Sequence, residues 1–132
     1  MPKKIKVGAA VLADYVGQGA ANKITIVNAF SGDVILPEMP CEVSFGLYIE
    51  LRFDNVPSSI DFELLLNGKR LAHGKAAGPP QAFANEATVI VIPLFPVKVT
   101  EDSKLEAFVS AAGYSRTLAL AKKLFKGALP TA

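Results

Sequence analysis

The sequence predicts an all-β fold: a two-sheet antiparallel β-sandwich, immunoglobulin-like or related, with seven to eight strands. Three observations predict it. Period-two alternation of apolar and polar residues recurs along the chain, turn residues punctuate it at regular spacing, and no long amphipathic helical pattern is present. Residues 1–132 read as a single sandwich domain with basic N- and C-terminal ends. They contain no repeat, no low-complexity tract and no linker long enough to divide the chain.

The first element is the run "IKVGAAVLADY". Ile5, Val7, Ala9, Val11, Ala13 and Tyr15 alternate with the intervening residues, and Gly17 and Gly19 supply a turn. A secretory signal needs an apolar stretch of about 7 to 15 residues, and Val7 to Ala13 only reaches its lower bound, so a strand is expected rather than a cleaved leader. Asp14 interrupts the run well short of the roughly 20 apolar residues of a membrane helix. The second strand is "KITIVNAF" (23–30). The third, 43–53, carries the clearest alternation: Val43, Phe45, Leu47, Ile49, Leu51 and Phe53 share the predicted core face, and Ser44, Gly46, Tyr48, Glu50 and Arg52 the opposite one.

In 60–75, Asn67-Gly68 between two apolar stretches marks a hairpin, because both central residues of a type I′ turn need positive φ. A two-residue loop pairs Leu66 with Lys69, Leu64 with Leu71 and Phe62 with His73. After the loop "AGPPQAFANEA" (77–87) comes the apolar strand 88–100, where Pro93 and Pro96 require an edge, a bulge or a bend. Residues 104–125 give two strands turning at Ala112-Gly113. A helix competes only over "TLALAKKLF".

Composition narrows the function. The chain is 51% hydrophobic and 20% charged, against about 25% charged in an average domain, which points either to a large buried fraction or to a surface that is partly interface. Its single cysteine, Cys41, allows no internal disulfide, so a reducing compartment is expected: the cytoplasm, or the interior of an assembled particle. Six of the 14 basic residues lie at the ends, as Lys3, Lys4, Lys6, Lys122, Lys123 and Lys126. The ends therefore carry +6 and the body −4. These lysines read either as solvated termini that keep a hydrophobic chain soluble or as a contact surface for phosphate or an acidic partner. On the second reading they are, with Phe125 as an apolar anchor, the candidate interaction residues, and 122–132 are expected to leave the sandwich as an arm onto another subunit. If the first and last strands are neighbours, the six charges converge. Only Phe125 interleaves with the lysines, so nucleic acid ranks behind a protein partner.

The residues that carry chemistry are few. His73 is the only histidine, which excludes a multi-histidine metal site and makes any catalytic triad depend on it. Placed beside Phe62 on the inward face, it reads as a structural imidazole. Cys41 has no adjacent cation to activate it. No G-x-S-x-G surrounds a serine, and "GQGAANK" lacks P-loop spacing. Calcium needs six to eight converging oxygens, and Asp33, Asp54, Asp61, Glu101 and Asp102 form no D-x-D cluster. No cofactor and no metal are expected.

The stretch 10–53 is similar to the opening of a family of small, uncharacterised bacterial β-sandwich proteins. Members start with an apolar strand ending in Ala-Asp-Tyr, followed by a Gly/Asn turn, a second strand of the type K-x-x-I-x-x-x-F, a proline-containing loop and a long alternating strand. The matching positions are Ala13, Asp14, Tyr15, Lys23, Ile26, Phe30, Pro37, Pro40 and 43–53. The resemblance implies a sandwich and transfers no activity. Asp14 reads as a structural acid that closes the first strand by bonding backbone N–H groups of the glycine turn.

The leading expectation is a non-enzymatic structural or binding module. It acts through protein–protein association, as a homo-oligomer or with other subunits, for example in a phage particle, and without a membrane. A small-ligand or lipid-binding sandwich is the alternative. A hydrolase using His73 with Glu63 or Asp61 comes third.

Overall fold

The computed structural model describes residues 3–21, 23–77 and 88–127. These residues form no helix, and nine strands build two facing sheets. In chain order they are β1 (Lys6–Gln18), β2 (Ile24–Ala29), β3 (Val34–Leu36), β4 (Cys41–Arg52), β5 (Ser59–Leu66), β6 (Lys69–Ala77), β7 (Thr88–Val99), β8 (Ser103–Ala111) and β9 (Tyr114–Lys126). One sheet is ordered β2-β1-β4-β7, the other β3-β9-β8-β5-β6. The all-β sandwich predicted from the alternation is what forms. Its strand count exceeds seven to eight, because β3 is three residues long and too short to show a period. β3 also runs parallel to β9, Val34 beside Leu124, whereas the other six pairings are antiparallel.

β4 is hydrogen-bonded on both sides and supplies the centre of the core. Phe45, Leu47, Ile49 and Leu51 are buried, each contributing about 1.5–3 kcal/mol by leaving water. Phe45 meets Phe30 edge-on, with centroids 5.6 Å apart, and Phe95 at 6.0 Å. From the facing sheet come Ile60, Leu64, Leu105, Ala107, Val109 and Leu124. The predicted core face of 43–53 holds. On the other side Ser44 and Arg52 are exposed and Tyr48 and Glu50 half-buried, but Gly46, expected to be exposed, is buried against the backbone of Tyr15 and Val16.

Elsewhere β-bulges change the phase that simple alternation predicts. Val7 pairs with Leu51 but Ala10 with Ile49, so β1 carries one extra residue at Gly8–Ala9, and its core face passes from Ile5 and Val7 to Ala10 and Leu12. The uniform odd phase expected for the first strand is therefore corrected beyond Val7. β7 lies at a sheet edge and is bulged at Pro93–Leu94, between the pairs Phe45–Phe95 and Leu47–Ile92, which answers both demands of its prolines. The Asn67-Gly68 turn has φ of 50° and 79°, as a type I′ hairpin requires, and Gly113 turns β8 into β9 at 82°. "TLALAKKLF" is strand throughout. The loop expected over 77–87 lies outside the described residues beyond Ala77.

Candidate functional site

The basic ends do not converge. Lys3 bridges to Tyr114 at the start of β9: its amide donates to the Gly113 carbonyl at 3.0 Å, and its own carbonyl accepts from Ser115 N–H at 2.8 Å. Lys122, Lys123 and Lys126 lie at the other end of the same strand, about 26 Å or more away at 3.3 Å per residue. Lys4 and Lys6 are exposed beside the first group.

Residues 122–126 are not an arm. β9 continues through them, with Leu124 fully buried between Val34 of β3 and Ser103 of β8. The Lys122 ammonium donates to the carbonyls of Phe30 at 3.2 Å and Gly32 at 2.7 Å, and the Lys123 amide donates to Asp33 Oδ1 at 2.9 Å. Phe125 is half-buried beside Ile35, its neighbour on β3. Satisfying these backbone groups and burying Leu124 outweighs the freedom of a charged tail. The end of the arm, 128–132, lies outside the described residues.

His73 is not on the inward face. A bulge at Leu71, between Leu65–Arg70 and Leu64–Ala72, shifts the hairpin by one residue, so His73 pairs with Glu63 and is exposed. Gly74 takes the place opposite Phe62. A Cβ there would lie 2.6 Å from the phenyl ring, so the bulge brings the one residue that fits beneath it. On this outer face Asp61, Glu63, Arg70, His73, Phe108 and Arg116 border a groove of about 250 Å³. Arg116 and Arg70 each donate to the Glu63 carboxylate at 2.8 Å. The Arg116 bond first, and then that of Arg70, hold the Glu63 carboxyl below its ordinary range. Arg116 also stacks 3.7 Å from the Phe108 centroid. The acid paired with His73 in register is thus engaged by two guanidiniums. Among the described residues no hydrogen bond joins His73 to Glu63 or to Ser110 across the groove.

Asp14 lies inside β1 rather than at its end, and it accepts from the side-chain amide of Asn28 at 2.9 Å instead of from the glycine turn. Cys41 is half-buried and free. No group of three or more His, Cys, Asp or Glu is placed to hold a metal among the described residues, and no helix there is long and apolar enough to cross a membrane.

The feature that residue-by-residue reading missed is at the sheet edges. An unpaired strand edge is a template for another chain, and proteins blunt it with short strands, prolines, bulges or charge. β3 is three residues long. β7 has Pro93, Pro96 and a bulge, and β6 has Lys69, Arg70, Lys75 and a bulge. β2, "ITIVNA", has no proline, no charge and no register shift against β1, and its one departure from extended backbone is Asn28, at φ 52° near its end. It is six residues long and uncharged, and Thr25 to Ala29 are exposed, with Ile26 and Val27 among the exposed large apolar residues. Tyr15, opposite Val27 on β1, extends the apolar surface. The signal was present in the sequence as a charge-free run, but which strands become edges depends on topology.

No family model matches the chain, and no curated protein does. Among solved structures it is similar to the crystal structure of a CARDB domain from Pyrococcus furiosus in complex with di-metal ions. The two share 13% identity at a TM-score of 0.49, over 72% of this chain and 84% of that one. No function follows from that likeness.

Proposed function

We propose that this protein is a non-enzymatic association module that joins other protein subunits through its sheet edge, most simply copies of itself, within a larger assembly such as a phage particle. The observation that carries the reading is the contrast between β2, apolar and uncovered among the described residues, and the three guarded edges of the same sandwich. An isolated edge of that kind leaves backbone donors and acceptors without strand partners and apolar side chains in water, both of which a partner strand removes. The residues considered for hydrolysis support the same reading, because Glu63 is held by Arg70 and Arg116 in a surface ion-pair network.

Light scattering over a concentration series tests it. The mass is expected to rise above that of one 14.0 kDa chain as concentration increases. A chain that stays at single mass up to millimolar concentration and binds no extended peptide overturns the proposal.

A further inference from the structure

The edge of β2 also has features that select its partner. Its six residues carry no charge, so a second copy of the same strand meets no repulsion along its length. The charges lie at its ends and differ in sign. Exposed Lys23 precedes Ile24, and Asp14 stands on β1 beside the far end, hydrogen-bonded to Asn28. Antiparallel pairing of two copies sets the Lys23 end of each against the Asp14–Asn28 end of the other. Parallel pairing would instead bring Lys23 against Lys23. Antiparallel pairing about a two-fold axis is also isologous, using the same patch on both subunits, and so closes as a dimer.

We infer that β2 pairs antiparallel with β2 of a second copy of this chain, fusing the two four-stranded sheets into one continuous eight-stranded sheet. The inference rests on the association reading above and gives it a surface, a partner and an orientation. Ile26 and Val27, at the middle of the strand, flank the two-fold axis and lie opposite each other across it, so a charge placed at either one is set against an apolar side chain of the other copy.

The experiment compares the full chain with Ile26→Lys, Val27→Lys and, as a control on a guarded edge, Leu71→Lys, by concentration-dependent light scattering, with thermal melts to confirm folding. The expected result is a dimer whose dissociation constant rises at least tenfold in Ile26→Lys and in Val27→Lys and stays unchanged in Leu71→Lys. Hydrogen exchange gives a second readout, with amides in 24–29 slowing as the dimer forms. Folded Ile26→Lys and Val27→Lys chains that dimerise like the wild type overturn this inference and leave the association reading standing. A wild type that is monomeric at every concentration and captures no extended peptide along β2 overturns both. A wild type that stays monomeric yet captures an extended peptide along β2 overturns self-pairing in favour of a foreign strand.

Discussion

A Cβ on Gly46 would lie 2.5 Å from the Val16 amide nitrogen and 2.8 Å from both the Tyr15 carbonyl carbon and the Pro93 carbonyl oxygen. The backbone of β1 beyond Ala13 therefore passes directly over β4 and reaches β7 on its other side, which explains why Val16 and Gly17 are buried although they lie near the end of a strand. All three obstructing atoms are backbone, so none can rotate away. Gly46→Ala is expected to destabilise the fold by about 3 kcal/mol or more, the upper range for overpacking. Gly32→Ala, where a Cβ meets nothing within 4 Å, should stay within about 0.5 kcal/mol. Urea denaturation of the two variants checks the contrast, and equal losses would refute the crossing.

Tyr114 ties the loop after β4 to the start of β9. Its hydroxyl donates to the Asn55 carbonyl at 2.8 Å and accepts from the Asn55 amide at 2.9 Å, while its ring meets Phe53 edge-on at 5.0 Å. Tyr114→Phe keeps the ring contact and removes both bonds, so a loss of about 1–2 kcal/mol is expected. A thermal melt coinciding with that of the wild type would show that the hydroxyl contributes nothing.

Strand 43–53, the Asn67-Gly68 turn, the Ala112-Gly113 turn and the Pro93 bulge were legible because each depends on local chemistry: alternation, positive φ or a missing N–H. The bulges at Gly8–Ala9 and Leu71 were not, since each serves a distant partner, and the second moved His73 from the core to the surface. The arm expected from the basic cluster 122–126 fails for a related reason: Lys122 has the same parity as Leu120 and Leu124, and its long stem carries the ammonium to the carbonyls of Phe30 and Gly32. The β2 edge was readable as a strand, but only the order β2-β1-β4-β7 shows that nothing among the described strands covers it.

Glu63 gives the outer face a pH dependence of defined sign. Its ordinary pKa of 4.5 is lowered in the folded chain by Arg116 and then Arg70. A group with a depressed folded-state pKa adds stability above its unfolded value and loses it as pH falls through the folded one. Wild type should melt above Glu63→Gln at pH 7, and the gap should close as pH drops below 4.5. Because the pair is at the surface, added salt should narrow it as well. A gap independent of pH would assign the effect to packing.

Thr88 carries the one buried side-chain oxygen without a hydrogen-bond partner among the described residues. It is the first residue of β7, opposite Leu51, and the residue as a whole is buried. Valine has nearly the same shape and no hydroxyl, so Thr88→Val removes an unmet desolvation penalty without opening a cavity. The variant is expected to gain about 1 kcal/mol or more in chemical denaturation, and a loss of stability would show that the hydroxyl finds a partner in solution.

Deleting residues 122–132 separates a core strand from an arm. The deletion removes Leu124, which is fully buried, and with it all three register pairs that hold β3 to β9, Val34–Leu124, Ile35–Phe125 and Leu36–Lys126. It also frees the carbonyls of Phe30 and Gly32 from Lys122. Burial of one leucine is worth about 2–5 kcal/mol when truncated, and the loss of strand pairing adds to it, against a total stability of about 5–15 kcal/mol for a domain of this kind. The shortened chain is therefore expected to be unfolded, or to melt far below the wild type, as read by circular dichroism and by loss of hydrogen-exchange protection in β8. Leu124→Ala alone should show the same direction at smaller size. A truncated chain that keeps the wild-type melting temperature would mean that 122–126 contribute no core contacts, and the placement of β9 would fall.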